Sequence, residues 1–308
     1  MKAIRLHAYG GAENLVLEEV PTPAVQPDEL LVRVHAAGIN PVDWKVRAGL
    51  LADFLPHQLP LIPGYDLSGV VEDVGAEVRG FSKGDAVFAF LDLTRGGAYA
   101  EYATVKAAEA ALKPETLGHA QAAAVPLAAL TAWQALFDVA GLQAGQQVLI
   151  HAAAGGVGHF AVQLARWVGA HVIGTASATN QQFLRELGAH ETVDYTSVPF
   201  EEAAREVEVV LDLIEGEIRE RSWPVLKRGG ILVSTLPPEP DPKTLQQFGV
   251  RGETMLVQPN GSELGEIAQL IDGKELKPVV TTYPFQKIRR AHQMSETGHT
   301  RGKLVLAW

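Results

Sequence analysis

The chain of 308 residues contains no cysteine. Disulfides, thiolate nucleophiles, iron–sulfur clusters and cysteine-bound zinc are therefore excluded. The sequence also lacks an apolar run of the roughly 18 residues expected of a membrane span, and its first residues lack the long apolar segment of a secretory signal. Its formal net charge is −10, whereas nucleic-acid binding requires a basic face. These absences predict a cytoplasmic globular protein that binds neither membrane nor nucleic acid.

The composition and the order of segments predict two regions. A hydrophobic content of 47% supports well-filled cores, and the length suits two domains. Up to about Lys106 the sequence is typical of short strands separated by turns. From Gln147 strands and helices alternate, which predicts a parallel sheet wound on both faces. The predicted strands are 148–152, 171–175, 192–194, 207–214, 230–235 and 255–258, the predicted helices are 156–168, 180–187, 217–227 and 262–272, and 237–242 is predicted to be a rigid loop.

A glycine-rich turn follows the first of these strands. Gly155 and Gly156 let the backbone turn and approach a phosphate without an intervening Cβ, and Gly158 lets the following helix lie close to the strand. The spacing Ala152-x-x-Gly155-x-x-Gly158 is one variant of the dinucleotide-binding fingerprint. A tight turn without any ligand also favours glycine, but the flanking strand and helix favour a cofactor site. The predicted pyrophosphate site comprises Ala154, Gly155, Gly156, Val157 and Gly158.

Several ordered motifs carry a family resemblance. They are Ala-Gly-Ile-Asn-Pro-Val-Asp-Trp-Lys at 37–45, Pro-Gly-Tyr-Asp-Leu-Ser-Gly-Val-Val at 63–71, Lys-Gly-Asp-Ala-Val at 83–87, the glycine turn, and Thr-Arg-Gly-Lys-Leu-Val-Leu at 300–306. Over nearly its whole length the chain resembles the medium-chain dehydrogenase/reductase superfamily, on its zinc-free quinone oxidoreductase side. The resemblance implies an α/β fold in which a GroES-like β-rich catalytic domain (1–119, completed by 277–308) stands beside a doubly wound Rossmann domain (120–276).

The positions of the zinc ligands hold other residues. Zinc members of the superfamily place a cysteine after the Ala-Gly-Ile segment and a His-Glu pair in the later glycine motif, where this chain has Asn40 and Tyr65-Asp66. The structural cysteine lobe is missing as well. The ten histidines are dispersed rather than paired at metal-ligand spacing. We therefore expect no catalytic metal.

Without a Lewis acid, the protein must hold the nicotinamide against an electron-poor carbon and donate hydrogen bonds to the oxygen that gains charge. This chemistry suits quinones and α,β-unsaturated carbonyl compounds. The resemblance implies that Asn40 lies at the catalytic site, and Lys45 and Tyr65 are further candidates. Asn40 is alternatively a turn residue before Pro41, Lys45 a solvated charge and Tyr65 a packing residue.

The cofactor is expected to be NADP(H). The second Rossmann strand is followed by no carboxylate that would repel a 2′-phosphate, and Ser177 with Thr179 or Asn180 can donate hydrogen bonds to one. The first basic residue after them is Arg185. The resemblance implies a phosphate contact for Tyr195, which alternatively caps the edge of the core. It also implies a nicotinamide pocket lined by Thr131, Thr235, Leu236 and Val257.

The leading hypothesis is a zinc-independent NADPH-dependent oxidoreductase that transfers hydride to a small quinone or enone. One alternative is an enoyl-thioester reductase, which is disfavoured because segment 48–54 lacks the tyrosine that such relatives carry there. The other is a non-catalytic NADPH-binding protein. The apolar segment 255–258 is predicted to be the exposed edge strand, which favours a homodimer. If a loop at 237–250 covers that edge, the chain stays monomeric.

Overall fold

The computed structural model describes residues 1–214 and 216–308. They form two compact units, one of Met1–Leu130 with Gln258–Trp308 and the other of Thr131–Val257. Among the described helices, none has the length and apolar character needed to cross a bilayer.

Strands supply the framework of both units. In chain order they are β1 (Lys2–Leu6), β2 (Leu15–Glu19), β3 (Glu29–Ile39), β4 (Asp66–Val74), β5 (Ala86–Phe90), β6 (Tyr102–Lys106), β7 (Ala110–Leu112), β8 (Gln147–Ile150), β9 (His171–Ala176), β10 (Glu191–Asp194), β11 (Val207–Asp212), β12 (Leu226–Ser234), β13 (Arg251–Thr254), β14 (Val280–Pro284) and β15 (Lys303–Ala307).

The α-helices in chain order are α1 (Pro41–Ala48), α2 (His119–Ala122), α3 (Pro126–Trp133), α4 (Gly158–Trp167), α5 (Gln181–Glu186), α6 (Glu217–Ser222), α7 (Pro242–Phe248), α8 (Gly261–Asp272) and α9 (Ile288–Glu296). A π-helix, Gln134–Val139, continues directly from α3.

The first unit is built on a seven-stranded sheet. Its strand order is β14-β15-β3-β4-β5-β7, and β6 also pairs with β3. Side chains that alternate along β3 enter an apolar core with Leu30, Val32, Val71 and Leu304 among its members. The predicted return of the C-terminal segment to the first region is confirmed, because β15 pairs antiparallel with the last residues of β3. The C-terminal strand therefore lies in the same sheet as β3.

The second unit is a six-stranded parallel sheet in the order β10-β9-β8-β11-β12-β13. This is the order of a doubly wound dinucleotide-binding sheet, so the predicted Rossmann class is confirmed. Val148, Leu149 and Ile150 of the central strand β8 are fully buried. A strand covered on both faces reads as a continuous apolar run, which is why the sequence pattern identified it.

Three predicted segments are wrong. The edge strand is β13, not 255–258, and Leu256 in that segment is 45% exposed. An edge strand is held by backbone pairing with one neighbour, so the polar residues of β13 gave no apolar signal. The predicted helix 217–227 ends at Ser222, and β12 begins at Leu226 after a 3₁₀ turn that contains Pro224. The predicted loop 237–250 contains α7.

Candidate functional site

In the first unit, Asn40 lies at the junction of β3 and α1. Its backbone is extended (φ −124°, ψ 156°), and Pro41 begins the helix with the φ that a first helical residue requires. Three residues later, the Asp43 carboxylate accepts a hydrogen bond from the Asn40 backbone N–H at 2.5 Å. Asn40 is thus the residue that precedes the helix, and its backbone is extended where the alternative expected a turn. The hydrogen bonds of its side chain go to other residues.

The Asn40 amide belongs to a buried polar cluster with Asp66 and Lys303. Its Nδ2 donates to Asp66 Oδ2 at 2.9 Å, and its Oδ1 accepts from the Lys303 ammonium. Lys303 Nζ also lies 3.3 Å from Asp66 Oδ2 and 3.1 Å from the Ile39 carbonyl oxygen. Asn40 is 2% exposed, Asp66 0% and Lys303 3%. We call these three residues the Asn40 cluster.

Three strands bring the cluster together. Asp66 begins β4 and lies opposite Gly38 of β3, while Leu304, next to Lys303 on β15, lies opposite Ile39. A Cβ added to Gly38 would lie 2.8 Å from Asp66 Cβ and 2.4 Å from a backbone oxygen, so glycine is needed for this close approach. The other carboxylate oxygen of Asp66 accepts from the Leu127 N–H, near the start of α3, at 2.7 Å.

Burial governs the titration of the carboxyl groups in this region. It raises the pKa of Asp66, and the Lys303 ammonium and the amide donor of Asn40 oppose that increase. Burial also raises the pKa of Asp43 to about 7, despite the hydrogen bond from the Asn40 backbone. The Lys303 ammonium contacts the Asp66 carboxylate directly, and its charge opposes the increase in both pKa values.

Tyr65 and Lys45 make no hydrogen bond to the Asn40 cluster in the described part of the chain. Tyr65 is fully buried, and its hydroxyl lies 3.3 Å from His57 Nε2. Burial raises the pKa of Tyr65 well above its usual range. Lys45 is half-buried on α1, with Nζ 5.9 Å from the centroid of the Trp44 ring. The packing alternative describes the Tyr65 side chain in this structure.

In the second unit, the glycine turn joins β8 to α4. A Cβ on Gly158 would lie 2.3 Å from the Ala152 carbonyl oxygen and 2.7 Å from Ala153 Cα, so only glycine allows this packing. Ala152 itself has a positive φ of 47°. Within residues 1–214 and 216–308, the N–H groups of Gly156, Val157 and Gly158 have no backbone acceptor. Free N–H groups at the start of a helix suit an anion.

The end of β9 carries the predicted group of ribose and phosphate contacts. Asn180 Nδ2 donates to Ser177 Oγ at 3.1 Å, and Ser177 Oγ lies 3.3 Å from Thr179 Oγ1. The predicted neighbour Tyr195 also comes to this edge, since its backbone N–H donates to the Ala176 carbonyl at 3.3 Å. Its side chain is 51% exposed, so it does not cap the core.

The sequence did not predict the contacts that two charged residues, Asp194 and Arg185, make in this unit. Asp194 at the end of β10 lies opposite Ala176, and its carboxylate accepts from the Thr196 N–H and hydroxyl. These bonds lower the pKa of Asp194, so a negative charge stands at this sheet edge. Arg185 is directed to Thr192 Oγ1 at 3.1 Å.

The buried ion pair between Arg219 and Asp212 holds the segment 235–236, which follows β12, through hydrogen bonds. Arg219 Nε donates to Asp212 Oδ2 at 2.8 Å, and Arg219 Nη2 donates to the Leu236 carbonyl and the Ser234 hydroxyl, each at 2.6 Å. Thr235 is held through its N–H, which donates to the Asp212 carbonyl at 3.3 Å. Of the other predicted pocket residues, Thr131 and Val257 are buried. Sequence reasoning missed Arg219, because a charged residue on a short polar helix is usually solvated.

Comparison with known proteins identifies the family. Residues 26–115 match the family model described as an alcohol dehydrogenase GroES-like domain, and residues 187–306 match one described as a zinc-binding dehydrogenase. The chain is 35% identical to a chloroplast envelope quinone oxidoreductase homolog of Arabidopsis thaliana, over 99% of this chain and 98% of the relative. It belongs to the medium-chain dehydrogenase/reductase superfamily, in its quinone oxidoreductase-like branch.

Two further members of this superfamily are informative. An NADPH-dependent alkenal/one oxidoreductase of Arabidopsis thaliana is 35% identical, covering 99% of this chain and 79% of that protein. The crystal structure of Escherichia coli quinone oxidoreductase complexed with NADPH is 30% identical, with a TM-score of 0.90 and full coverage of both chains. The fold class predicted from the resemblance, which combines a GroES-like domain with a Rossmann sheet, is thus confirmed.

The residues at the superfamily's zinc position do not fit a zinc ion. The Asn40 side-chain oxygen accepts from the Lys303 ammonium, and the charge of that ammonium would repel a dication. Tyr65 directs its hydroxyl to His57 instead. In the described ranges, no group of three or more histidine, cysteine, aspartate or glutamate side chains is suited to hold a metal.

Proposed function

We propose that this chain is a zinc-independent, NADPH-dependent oxidoreductase that transfers hydride to quinones or α,β-unsaturated carbonyl compounds. The observation that carries the proposal is the Asn40 cluster, where an amide supported by a buried ammonium stands in place of a zinc ligand. Such a group can donate a hydrogen bond to an oxygen that gains charge. The names of the two plant relatives support the two acceptor classes.

NADPH is the proposed cofactor. Within the described residues, the N–H groups of the turn at Gly156–Gly158 have no backbone acceptor and could bind the pyrophosphate. The Ser177, Thr179 and Asn180 group carries hydroxyl and amide donors for a 2′-phosphate. The NADPH complex of the Escherichia coli relative supports this assignment. Asp194 at the same edge opposes a phosphate electrostatically, so the proposed site depends on the neutral donors of the Ser177 group.

The reaction needs little from the protein beyond positioning and hydrogen bonding. The cofactor, when bound, supplies the hydride. The proposed role of Asn40 is to donate through Nδ2–H to the substrate oxygen as that oxygen becomes enolate-like or hydroquinone-like. Lys45 and Tyr65 remain proposed contacts of the same substrate, and Tyr65 would have to leave His57 to serve as one.

A homodimer and a cytoplasmic location complete the proposal. The strand β13 pairs with β12 on one side and ends the sheet order on the other, so its second edge can pair with another copy. The basis for the homodimer is therefore the polar strand β13, not the apolar segment 255–258. Cell fractionation tests the location, and the plant relatives carry chloroplast names.

A turnover panel tests the proposed activity. Purified protein is mixed with NADPH or NADH and a series of quinones, enones and enoyl thioesters, and the loss of reduced-nicotinamide absorbance is followed. The expected result is faster turnover of quinones or enones than of enoyl thioesters, with preference for NADPH. Tight NADPH binding without turnover of any acceptor contradicts the enzyme assignment and favours a non-catalytic protein.

A further inference from the structure

Each of the three N–H donors of the Lys303 ammonium has an acceptor. An ammonium carries three N–H donors, and Lys303 has three acceptors within reach: the Ile39 carbonyl, Asp66 Oδ2 and Asn40 Oδ1. With 3% of the residue exposed, water does not compete for these donors. Three acceptors therefore hold the Lys303 ammonium in one place, unlike the ammonium of a flexible surface lysine.

The Asn40 side chain uses only one of its two N–H donors within the cluster. A primary amide carries two N–H donors on Nδ2, and one of them is donated to Asp66. No second acceptor for Nδ2 occurs in the described residues, and Oδ1 already accepts from Lys303. In the part of the chain that the structure describes, the second Nδ2–H is therefore the one side-chain N–H of the Asn40 cluster without a protein acceptor.

The cluster also determines which way the amide faces. Flipping the Asn40 amide would direct its NH₂ group at the Lys303 ammonium and its oxygen at the Asp66 carboxylate, and both contacts would be repulsive. At a buried site this penalty is large, because solvent screening is weak. The orientation of the amide therefore depends on the ion pair between Lys303 and Asp66.

We propose that Lys303 and Asp66 are positioning residues that fix the Asn40 amide so that its second Nδ2–H meets the substrate oxygen. The ammonium on Oδ1 also withdraws charge from the amide, which makes the N–H a better donor. The idea rests on the proposed function, since it assigns the reductase's hydrogen-bond donor. The new element is that Lys303, 263 positions away in sequence, orients the Asn40 donor.

The proposal differs from a purely structural role of the ion pair. If Lys303 acts through Asn40, its loss has little further effect on turnover once the Asn40 amide is gone. If it only holds strands together, its loss lowers turnover by the same factor with or without that amide. A double-mutant cycle on kcat separates the two roles.

The cycle uses Lys303→Met, Asn40→Ala and the double variant, with Lys83→Met as a matched lysine change at an exposed ion pair. Asn40→Ala is expected to lower kcat about 100-fold, as for loss of one oxyanion donor. Lys303→Met is expected to lower kcat about tenfold alone and less than about twofold in the Asn40→Ala background. Lys83→Met is expected to leave kcat unchanged.

NADPH affinity is measured in parallel for every variant. It is expected to change less than about twofold, because the predicted dinucleotide segments belong to the other compact unit. Lys303→Arg, which keeps the charge, is expected to restore most of the kcat lost in Lys303→Met. If Lys303→Met alone does not fold, the cycle is run with Asp66→Asn/Lys303→Met, which removes both charges together.

Equal losses of kcat from Lys303→Met with and without the Asn40 amide overturn the proposal. An unchanged kcat in a folded Lys303→Met variant overturns it as well. Either result leaves the proposed function intact, provided that the wild type reduces quinones or enones. If the wild type reduces none of the acceptors, the proposed function itself has failed.

Discussion

Asp43 is expected to make this protein less stable as the pH rises towards neutrality. The residue is fully buried, and burial raises its pKa from 3.8 to about 7. In the unfolded chain the same carboxyl releases its proton near its usual pKa. Between these two values the native state holds more protons, so the contribution of Asp43 to the free energy of unfolding falls with rising pH.

The size of the effect follows from the two pKa values. A gap of about three pH units at about 1.4 kcal/mol per unit gives about 4 kcal/mol. The penalty is absent below the unfolded pKa and complete above about pH 7. In Asp43→Asn the side chain cannot ionise, and its amide oxygen can still accept from the Asn40 backbone.

Urea unfolding of the wild type and of Asp43→Asn at a series of pH values measures the effect. The variant is expected to gain stability relative to the wild type by up to about 1.4 kcal/mol per pH unit between about pH 4 and pH 7. Asp53→Asn, at an exposed carboxyl, is the matched control. A stability difference for Asp43→Asn that stays constant over this range, or falls with pH, refutes the reasoning.

Three further predictions concern the cofactor and assembly. Gly156→Asp is expected to weaken NADPH binding more than about tenfold, because it adds a carboxylate at the proposed pyrophosphate turn; unchanged affinity in a folded variant would reject this turn as the cofactor site. Ser177→Asp is expected to shift kcat/KM from NADPH towards NADH by one to two orders of magnitude, roughly 1.4–2.8 kcal/mol, and a wild type that already prefers NADH contradicts the assignment. Light scattering at micromolar concentration is expected to give twice the chain mass of 33.0 kDa, and the single-chain mass would reject the homodimer.

The sequence predicted the parts of the fold that depend on local pattern. The run at β8 is apolar throughout because the strand is covered on both faces, and the glycine turn is specific because Gly158 has no room for a Cβ. The edge strand β13 has no such apolar run. It is specified by its pairing with β12, and its sequence Arg-Gly-Glu-Thr carries no apolar pattern.

The Asn40 cluster was predictable only in part. The family resemblance pointed to Asn40, but nothing local indicated that Lys303 would be buried, since lysine is usually exposed. The ion pair arises because β15 and β4 both pair with β3, which brings together residues 237 positions apart. Long-range strand pairing of this kind produces no sequence pattern within either segment alone. Arg219 escaped prediction for a similar reason, because its partner Asp212 ends a neighbouring strand.

The most direct test of the central claim follows the hydride itself. NADPH with deuterium at both hydrogens of nicotinamide C4 is reacted with an enone in the presence of the protein, and the product is examined by NMR. The proposed reaction predicts deuterium at the β-carbon and a solvent-derived hydrogen at the α-carbon, because hydride adds to the electron-poor carbon and the enolate is then protonated. A reduced product without deuterium at the β-carbon, or no reduced product from any enone or quinone, would contradict the account.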